Sequence, residues 1–149
     1  MFYIGGTKNG ALLGEALVIC NDNLKEDFRY LIKHRGAMMA KGFVMGIQFE
    51  ALFEDNLYFA LGQHANRMAE RIAEALHQGG YSFYATPGTN QLFPILSNKT
   101  IEKLSEKFVF SVQAKVDSEH SAIRFVTSWA TSEESVEALI RELLLLSSN

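Results

Sequence analysis

Apolar and polar residues follow two different spacings in the first half of the chain. Short apolar runs predict strands at residues 1–4 and 15–20, with a glycine-rich turn between them. Helical spacing then runs from residue 24 to about residue 79, where two glycines end it. The helical pattern is interrupted at Gly36, Gly42 and Asp55-Asn56. The front of the chain is therefore predicted to be α/β.

The second half alternates strand and helix signals more regularly. The predicted strands are 81–85, 91–96, 108–116 and 122–130, and the predicted helices are 98–108 and one that starts at Ser132. On the last helix, the apolar residues fall on one side, which indicates packing against a sheet. These elements predict an α+β domain with an antiparallel sheet covered by helices. We place the domain boundary between residues 1–55 and residues 56–149.

Composition narrows the class of protein. The chain has 149 residues, 48% of them hydrophobic, and a formal net charge of -3. Scattered basic residues argue against nucleic acid as a partner, and the apolar runs are too short for a membrane helix. A cytoplasmic location is therefore expected. Cys20, the only cysteine, ends an apolar run and is expected to be a small core side chain. With a single cysteine, the chain has no set of cysteines that could bind a metal ion.

One lysine lies in the turn between the first two strands, in the sequence GGTKNG. A hairpin turn with a solvated Lys8 is the simplest interpretation, because Asn-Gly favours a positive φ. A phosphate-binding P-loop fits poorly, since the Gly-Lys-Ser/Thr order and the following helix are absent. The chemical alternative is a lysine whose amine condenses with an aldehyde cofactor. Glycines would let a planar cofactor approach, and Thr7 could bind a phosphate oxygen.

Four longer stretches carry a resemblance to a known family. They are FYIGGTKNGALLGEALVI, KHRGAMMAKGFVMGIQFEALF, LYFALGQHANRMAERIAEAL and AIRFVTSWATSEESVEALI. Together and in this order they resemble the carboxy-terminal half of the low-specificity L-threonine aldolases, pyridoxal-phosphate enzymes of fold type I. The resemblance implies a remnant of the large cofactor-binding domain followed by the small carboxy-terminal domain. It also implies that Lys8 matches the lysine that binds the cofactor covalently.

Other site residues follow from the same resemblance. Arg124 matches the arginine that binds the substrate α-carboxylate, although an arginine on the exposed face of a strand is the alternative. Thr7 is expected to contact the cofactor phosphate. Arg35 and Lys41 resemble basic positions near that phosphate or the neighbouring subunit. His64 belongs to a family-like stretch, but its place on an apolar stripe favours a packed or interface histidine over a catalytic one.

The family's remaining site residues lie before the lysine in sequence, so we expect this chain to be inactive without an amino-terminal half. Three hypotheses stay open. The chain is part of a threonine-aldolase-like lyase that cleaves a β-hydroxy amino acid to glycine and an aldehyde, or part of another amino-acid lyase, such as a β-eliminating enzyme, that uses the same cofactor. In the third, it is a non-catalytic remnant that binds itself or a partner. A homo-oligomer or a complementing amino-terminal half is the expected partner.

Overall fold

The computed structural model describes residues 1–147. Within that range the chain forms two compact units, one of Met1–Leu61 and one that begins at Gly62. We call them the amino-terminal unit and the carboxy-terminal unit. The domain boundary placed between residues 55 and 56 stays a prediction. The last two residues of the predicted second domain, 148 and 149, lie outside the described part of the chain.

The amino-terminal unit contains a two-stranded antiparallel sheet and helices. Its elements are β1 (Phe2–Gly5), β2 (Glu15–Val18), α1 (Phe28–His34), α2 (Phe43–Phe53) and the start of α3 (Leu57–Gln78). Left-handed backbone at Asp55 and Asn56, with φ of 49° and 60°, separates α2 from α3. The predicted break at these two residues is confirmed.

Two expectations for this unit were wrong. The helix expected from residue 24 begins at Phe28, because Asp22–Leu24 forms only a short 3-10 turn. Asn21 caps that turn by accepting a hydrogen bond from the Asn23 amide at 3.0 Å. The second strand ends at Val18, so Cys20 falls in the following loop and is exposed. Cys20 is therefore not a core residue.

Helix α2 is rich in apolar residues that are not confined to one side. Only Leu52 of its residues is buried, while Phe43 and Ile47 are 63% and 56% exposed. A helix with this pattern normally lies in the interior of a larger structure. The amino-terminal unit consequently presents several large apolar side chains to solvent.

The carboxy-terminal unit is an antiparallel sheet with helices on one face. Its strands are β3 (Ser82–Ala85), β4 (Gln91–Ser97), β5 (Ser111–Lys115) and β6 (His120–Val126), in the order β3-β4-β6-β5. Its helices are most of α3, then α4 (Asn98–Ser105) and α5 (Glu133–Ser147). The predicted antiparallel sheet covered by helices is confirmed. The strands expected at 108–116 and 122–130 are shorter, because loops occupy residues 106–110 and 127–132.

A continuous apolar core holds this unit together. Leu76 from α3, Ile123 from β6 and Leu143 from α5 are fully buried in it. Helical spacing brings the apolar residues of α3 and α5 onto the sides that meet the sheet. Helix α4 begins where predicted, since the Ser97 hydroxyl accepts a hydrogen bond from the Thr100 amide at 3.1 Å.

Candidate functional site

The turn that carries Lys8 is a closed backbone structure. Thr7–Asn9 forms one 3-10 turn directly after β1. The amides of Asn9 and Ala11 both donate to the Gly6 carbonyl, at 2.9 and 3.0 Å. Gly10 then ends the turn in the left-handed region with φ of 101°, which favours glycine. The predicted turn between two strands is confirmed, but it is a longer connection than a two-residue hairpin.

Gly6 fixes how closely this turn packs on the rest of its unit. The residue is buried, and a Cβ at this position would lie 2.7 Å from Ala11 Cβ and 3.1 Å from Phe49 Cζ. Any side chain would force backbone or neighbouring atoms to move. Glycine is therefore required here by packing, and the turn sits firmly against α2.

Lys8 projects from this firm turn into solvent. Its side chain is exposed, as is that of Thr7, and within residues 1–147 neither side chain makes a hydrogen bond or an ion pair. Arg35, which follows α1, and Lys41, which precedes α2, are exposed in the same unit. In that range no hydrogen bond or ion pair joins any two of these four side chains. Their roles as cofactor ligands stay predictions.

Tyr58, which no sequence motif indicates, contacts the Lys8 turn at Gly5, before the lysine, and at Asn9, after it. Its hydroxyl donates to the Gly5 carbonyl at 2.9 Å, and its own carbonyl accepts from Asn9 Nδ2 at 3.3 Å. The Tyr58 ring stacks on Phe53, with ring centroids 5.0 Å apart. No local sequence signal links Tyr58 to Lys8, because about fifty residues separate them.

Gln48 supports the same connection from α2. Its Oε1 accepts a hydrogen bond from the Leu12 amide at 2.8 Å, and its Nε2 donates to the Val44 carbonyl at 3.1 Å. A single side chain thus satisfies a loop donor and remains attached to its own helix. The loop after Lys8 is consequently held to α2 by a polar contact as well as by packing.

Arg124 lies in the carboxy-terminal unit, on the face of β6 that points away from the core. It is exposed, between Ile123, which is 0% exposed, and Phe125, which is 7% exposed. On the edge strand β5 it pairs with Ser111. Within residues 1–147 its guanidinium has no acidic partner. The inward orientation of the two flanking residues is as expected, and the binding role stays a prediction.

A polar cluster holds the loop that follows β6. The buried Thr127 hydroxyl donates to the Ala65 carbonyl of α3 at 2.7 Å, and Asn90 Nδ2 donates to the Thr127 carbonyl at 2.7 Å. From the adjacent residue of α3, His64 Nε2 donates to the Thr131 carbonyl at 2.8 Å. His64 is half-buried in this packing contact, as its place on the apolar stripe of α3 predicted.

The turn between β5 and β6 contains a carboxylate with a perturbed titration. Asp117 Oδ1 accepts hydrogen bonds from the amides of Glu119 and His120, both at 2.7 Å, and the His120 ring lies 3.0 Å from Oδ2. The Glu119 amide is the main cause that holds the pKa of Asp117 below its ordinary value of 3.8, and His120 adds to it.

This geometry predicts a local dependence on pH. A carboxyl whose folded-state pKa lies below its unfolded value stabilises the turn fully above the unfolded value, and that contribution is lost as pH falls through the folded pKa. We expect the protection of the Glu119 and His120 amides, measured against their intrinsic exchange rate at each pH, to fall below about pH 3.8 for this reason. In Asp117→Asn, which keeps an acceptor oxygen without the charge, this loss of protection should disappear. An unchanged pH profile in that variant would show that another group titrates.

Between residues 1 and 147, no three His, Cys, Asp or Glu side chains are grouped as metal ligands would be. None of the helices in that range combines the length and apolarity that crossing a membrane requires.

Comparison with known proteins extends over almost the whole chain. No protein-family model matches it. A low-specificity L-threonine aldolase from Pseudomonas aeruginosa is 31% identical over 147 residues, which are 95% of this chain and 40% of the relative. A second low-specificity L-threonine aldolase, from another Pseudomonas strain, is 29% identical over 93% of this chain and 40% of its own length.

A solved structure agrees with these sequence matches. The threonine aldolase of Leishmania major superposes with a TM-score of 0.94 at 44% identity, over 98% of this chain and 43% of that protein. The chain resembles the low-specificity L-threonine aldolases. Both the predicted resemblance and the predicted fold class are thereby confirmed. The threonine-aldolase-like chain spans about two fifths of the length of its relatives, which is consistent with their carboxy-terminal part.

Proposed function

We propose that this chain forms part of a pyridoxal-phosphate-dependent lyase of the threonine aldolase type. The complete enzyme would cleave the Cα–Cβ bond of a β-hydroxy amino acid and give glycine and an aldehyde. The observation that carries the proposal is the match to the Leishmania major structure, since a TM-score of 0.94 at 44% identity joins fold and sequence over nearly every residue. We also propose that the protein is cytoplasmic.

The chemistry of the exposed donors in the amino-terminal unit fits this cofactor. An aldehyde needs a primary amine, and Lys8 presents one that no carboxylate neutralises within residues 1–147. A phosphate needs hydroxyl and cationic donors, which Thr7, Arg35 and Lys41 could supply. The donor set therefore suits pyridoxal phosphate, with the largest share of the binding assigned to Lys8.

Each of these residues then has a defined task. Lys8 Nζ would hold the aldehyde carbon, and the closed turn around Gly6 keeps the lysine backbone in one place. The Thr7 hydroxyl would donate a hydrogen bond to the phosphate, while Arg35 and Lys41 would balance the phosphate charge. When bound, pyridoxal phosphate supplies the electron sink that the bond cleavage requires.

Arg124 is assigned the substrate α-carboxylate. A guanidinium presents two parallel N–H donors that match the two carboxylate oxygens, whereas an ammonium binds as a point charge. Its exposed place between two buried residues leaves the guanidinium open to a ligand while the strand backbone is fixed by the core. Holding the carboxylate would orient the scissile bond of the amino acid.

The partner we propose is a second copy of the chain or a complementing amino-terminal half. In the amino-terminal unit, Gly6, Ala11 and Leu52 alone are buried, so most of its apolar side chains face solvent. Surfaces of this kind are usually covered by other polypeptide. We expect light scattering of the purified chain to show a dimer or larger species. A single monomeric mass across the accessible concentration range would contradict this expectation.

A chimera tests the proposed reaction directly. This chain would replace the matching two fifths of the Pseudomonas aeruginosa relative, which supplies the remaining sequence. With pyridoxal phosphate and L-threonine, we expect the chimera to release glycine and acetaldehyde. A folded chimera that binds the cofactor but forms a β-elimination product instead would support a different lyase reaction. A folded chimera with neither activity would reject the proposal.

A further inference from the structure

The Lys8 turn is attached to α3 by two hydrogen bonds that converge on one residue. The Tyr58 hydroxyl binds the Gly5 carbonyl, three residues before Lys8, and the Tyr58 carbonyl binds the side chain of Asn9, directly after it. Two contacts on opposite sides of a short segment restrict both its translation and its rotation. The segment between them contains Lys8 and its neighbours Gly6 and Thr7.

Tyr58 is itself held in place, as a positioning residue must be. Its ring is half-buried and stacked on Phe53 at 5.0 Å with an interplanar angle of 20°. The Phe59 ring lies edge-on to the same ring, with ring centroids 5.9 Å apart. The stacking fixes the ring plane, so the hydroxyl reaches the Gly5 carbonyl from one direction.

We propose that Tyr58, together with Asn9, positions Lys8 for condensation with the aldehyde cofactor. This inference rests on the proposed function of Lys8 and adds a residue that the resemblance does not assign. Tyr58 touches neither cofactor nor substrate in this account. It acts through the backbone on either side of Lys8, by keeping the Cα–Cβ bond of the lysine pointed in one direction.

The test uses the wild-type chain, Tyr58→Phe and Asn9→Ala, with pyridoxal phosphate as the probe. The neutral Lys8 amine adds to the aldehyde carbon and water leaves. Borohydride then delivers hydride to that carbon while the nitrogen takes a proton from solvent. Peptide mass mapping gives the rate of labelling at Lys8 relative to the other lysines. Tyr30→Phe is the matched control, because Tyr30 is 74% exposed and its hydroxyl has no partner within residues 1–147.

We expect Tyr58→Phe to lower the unfolding midpoint only slightly, as loss of one exposed hydrogen bond would, while its relative labelling rate at Lys8 falls about fivefold, the factor that one ordinary hydrogen bond represents. Asn9→Ala should also lower the relative labelling rate at Lys8. Amide exchange at Asn9 and Ala11 should accelerate in Tyr58→Phe, and Tyr30→Phe should match the wild type. A merely structural role would lower the midpoint and leave the relative labelling rate unchanged.

The proposal is overturned if Lys8 is labelled in Tyr58→Phe at the wild-type relative rate. It is also overturned if the relative labelling rate at Lys8 falls as much in Tyr30→Phe as in Tyr58→Phe. If the wild-type chain does not label Lys8, the proposed function of Lys8 fails, and the inference that Tyr58 positions it for condensation fails with it. A wild-type chain that labels Lys8 normally beside an equally labelled Tyr58→Phe variant leaves the proposed function standing and rejects the role of Tyr58 alone.

Discussion

Replacing Lys8 by arginine is expected to lower lyase activity of the chimera by on the order of 10³-fold or more, which is a modest figure for loss of a residue that bonds covalently. Arginine keeps the positive charge and nearly the length of lysine. Its guanidinium stays protonated at any working pH, so it cannot condense with an aldehyde. Because the Lys8 side chain is exposed and makes no hydrogen bond or ion pair within residues 1–147, the fold should tolerate the change. Activity is measured as acetaldehyde release from L-threonine.

Lys33→Arg is the matched control for this experiment. Lys33 is an exposed lysine of the same unit, in α1, and has no assigned role. It should retain full activity. If Lys8→Arg keeps more than a tenth of wild-type activity in a correctly folded chimera, Lys8 is not the cofactor-binding lysine, and another residue must be sought.

Replacing Arg124 by alanine is expected to lower kcat/KM for L-threonine by roughly 30- to 900-fold. This range corresponds to about 2–4 kcal/mol, the size of one or two hydrogen bonds between charged groups. Arg124→Lys should recover only part of the loss, because lysine keeps the charge without the paired donors. The effect should appear mainly in KM if the contact forms equally in the ground state and the transition state.

Two comparisons separate carboxylate binding from damage to the sheet. Arg141→Ala, at an exposed arginine of α5 with no acidic partner within residues 1–147, should leave kcat/KM unchanged. L-threonine amide, which lacks the carboxylate, should react equally slowly with the wild type and with Arg124→Ala. An equal loss for threonine and its amide would contradict the assigned role.

The sequence predicted those features of the fold that depend on neighbouring residues. The break between α2 and α3 was predictable because Asp and Asn tolerate left-handed backbone better than most residues. The start of α4 was predictable because Ser97 is a hydroxyl directly before a helical pattern. The buried side of α5 followed from the spacing of Val136, Leu139 and Leu143.

Contacts between distant segments were not predictable in this way. The hydrogen bonds from Tyr58 to the Lys8 turn and from Thr127 to α3 join residues 53 and 62 positions apart. Cys20 illustrates a different failure. The apolar run continues to Cys20, but pairing of β2 with β1 ends at Val18, so Cys20 is exposed. Periodicity describes which residues are apolar, and pairing decides where a strand ends.

The candidate site was predicted from family resemblance more than from pattern. On its own, GGTKNG is a turn, and the structure shows a turn. Arg124 was predicted to be exposed on its strand because alternation places its neighbours inward. Alternation by itself could not distinguish a solvated arginine from one that binds a carboxylate, because both occupy the same position on a sheet.

Covalent labelling of the unmodified chain tests the central claim most directly. The chain is incubated with pyridoxal phosphate, reduced with borohydride, digested and mapped by mass, beside a Lys8→Ala chain treated in the same way. Our account predicts that Lys8 carries most of the label, and that the absorbance band of the bound cofactor is absent from Lys8→Ala. Label spread evenly over the exposed lysines, with the same absorbance in both chains, would contradict it and favour a non-catalytic remnant.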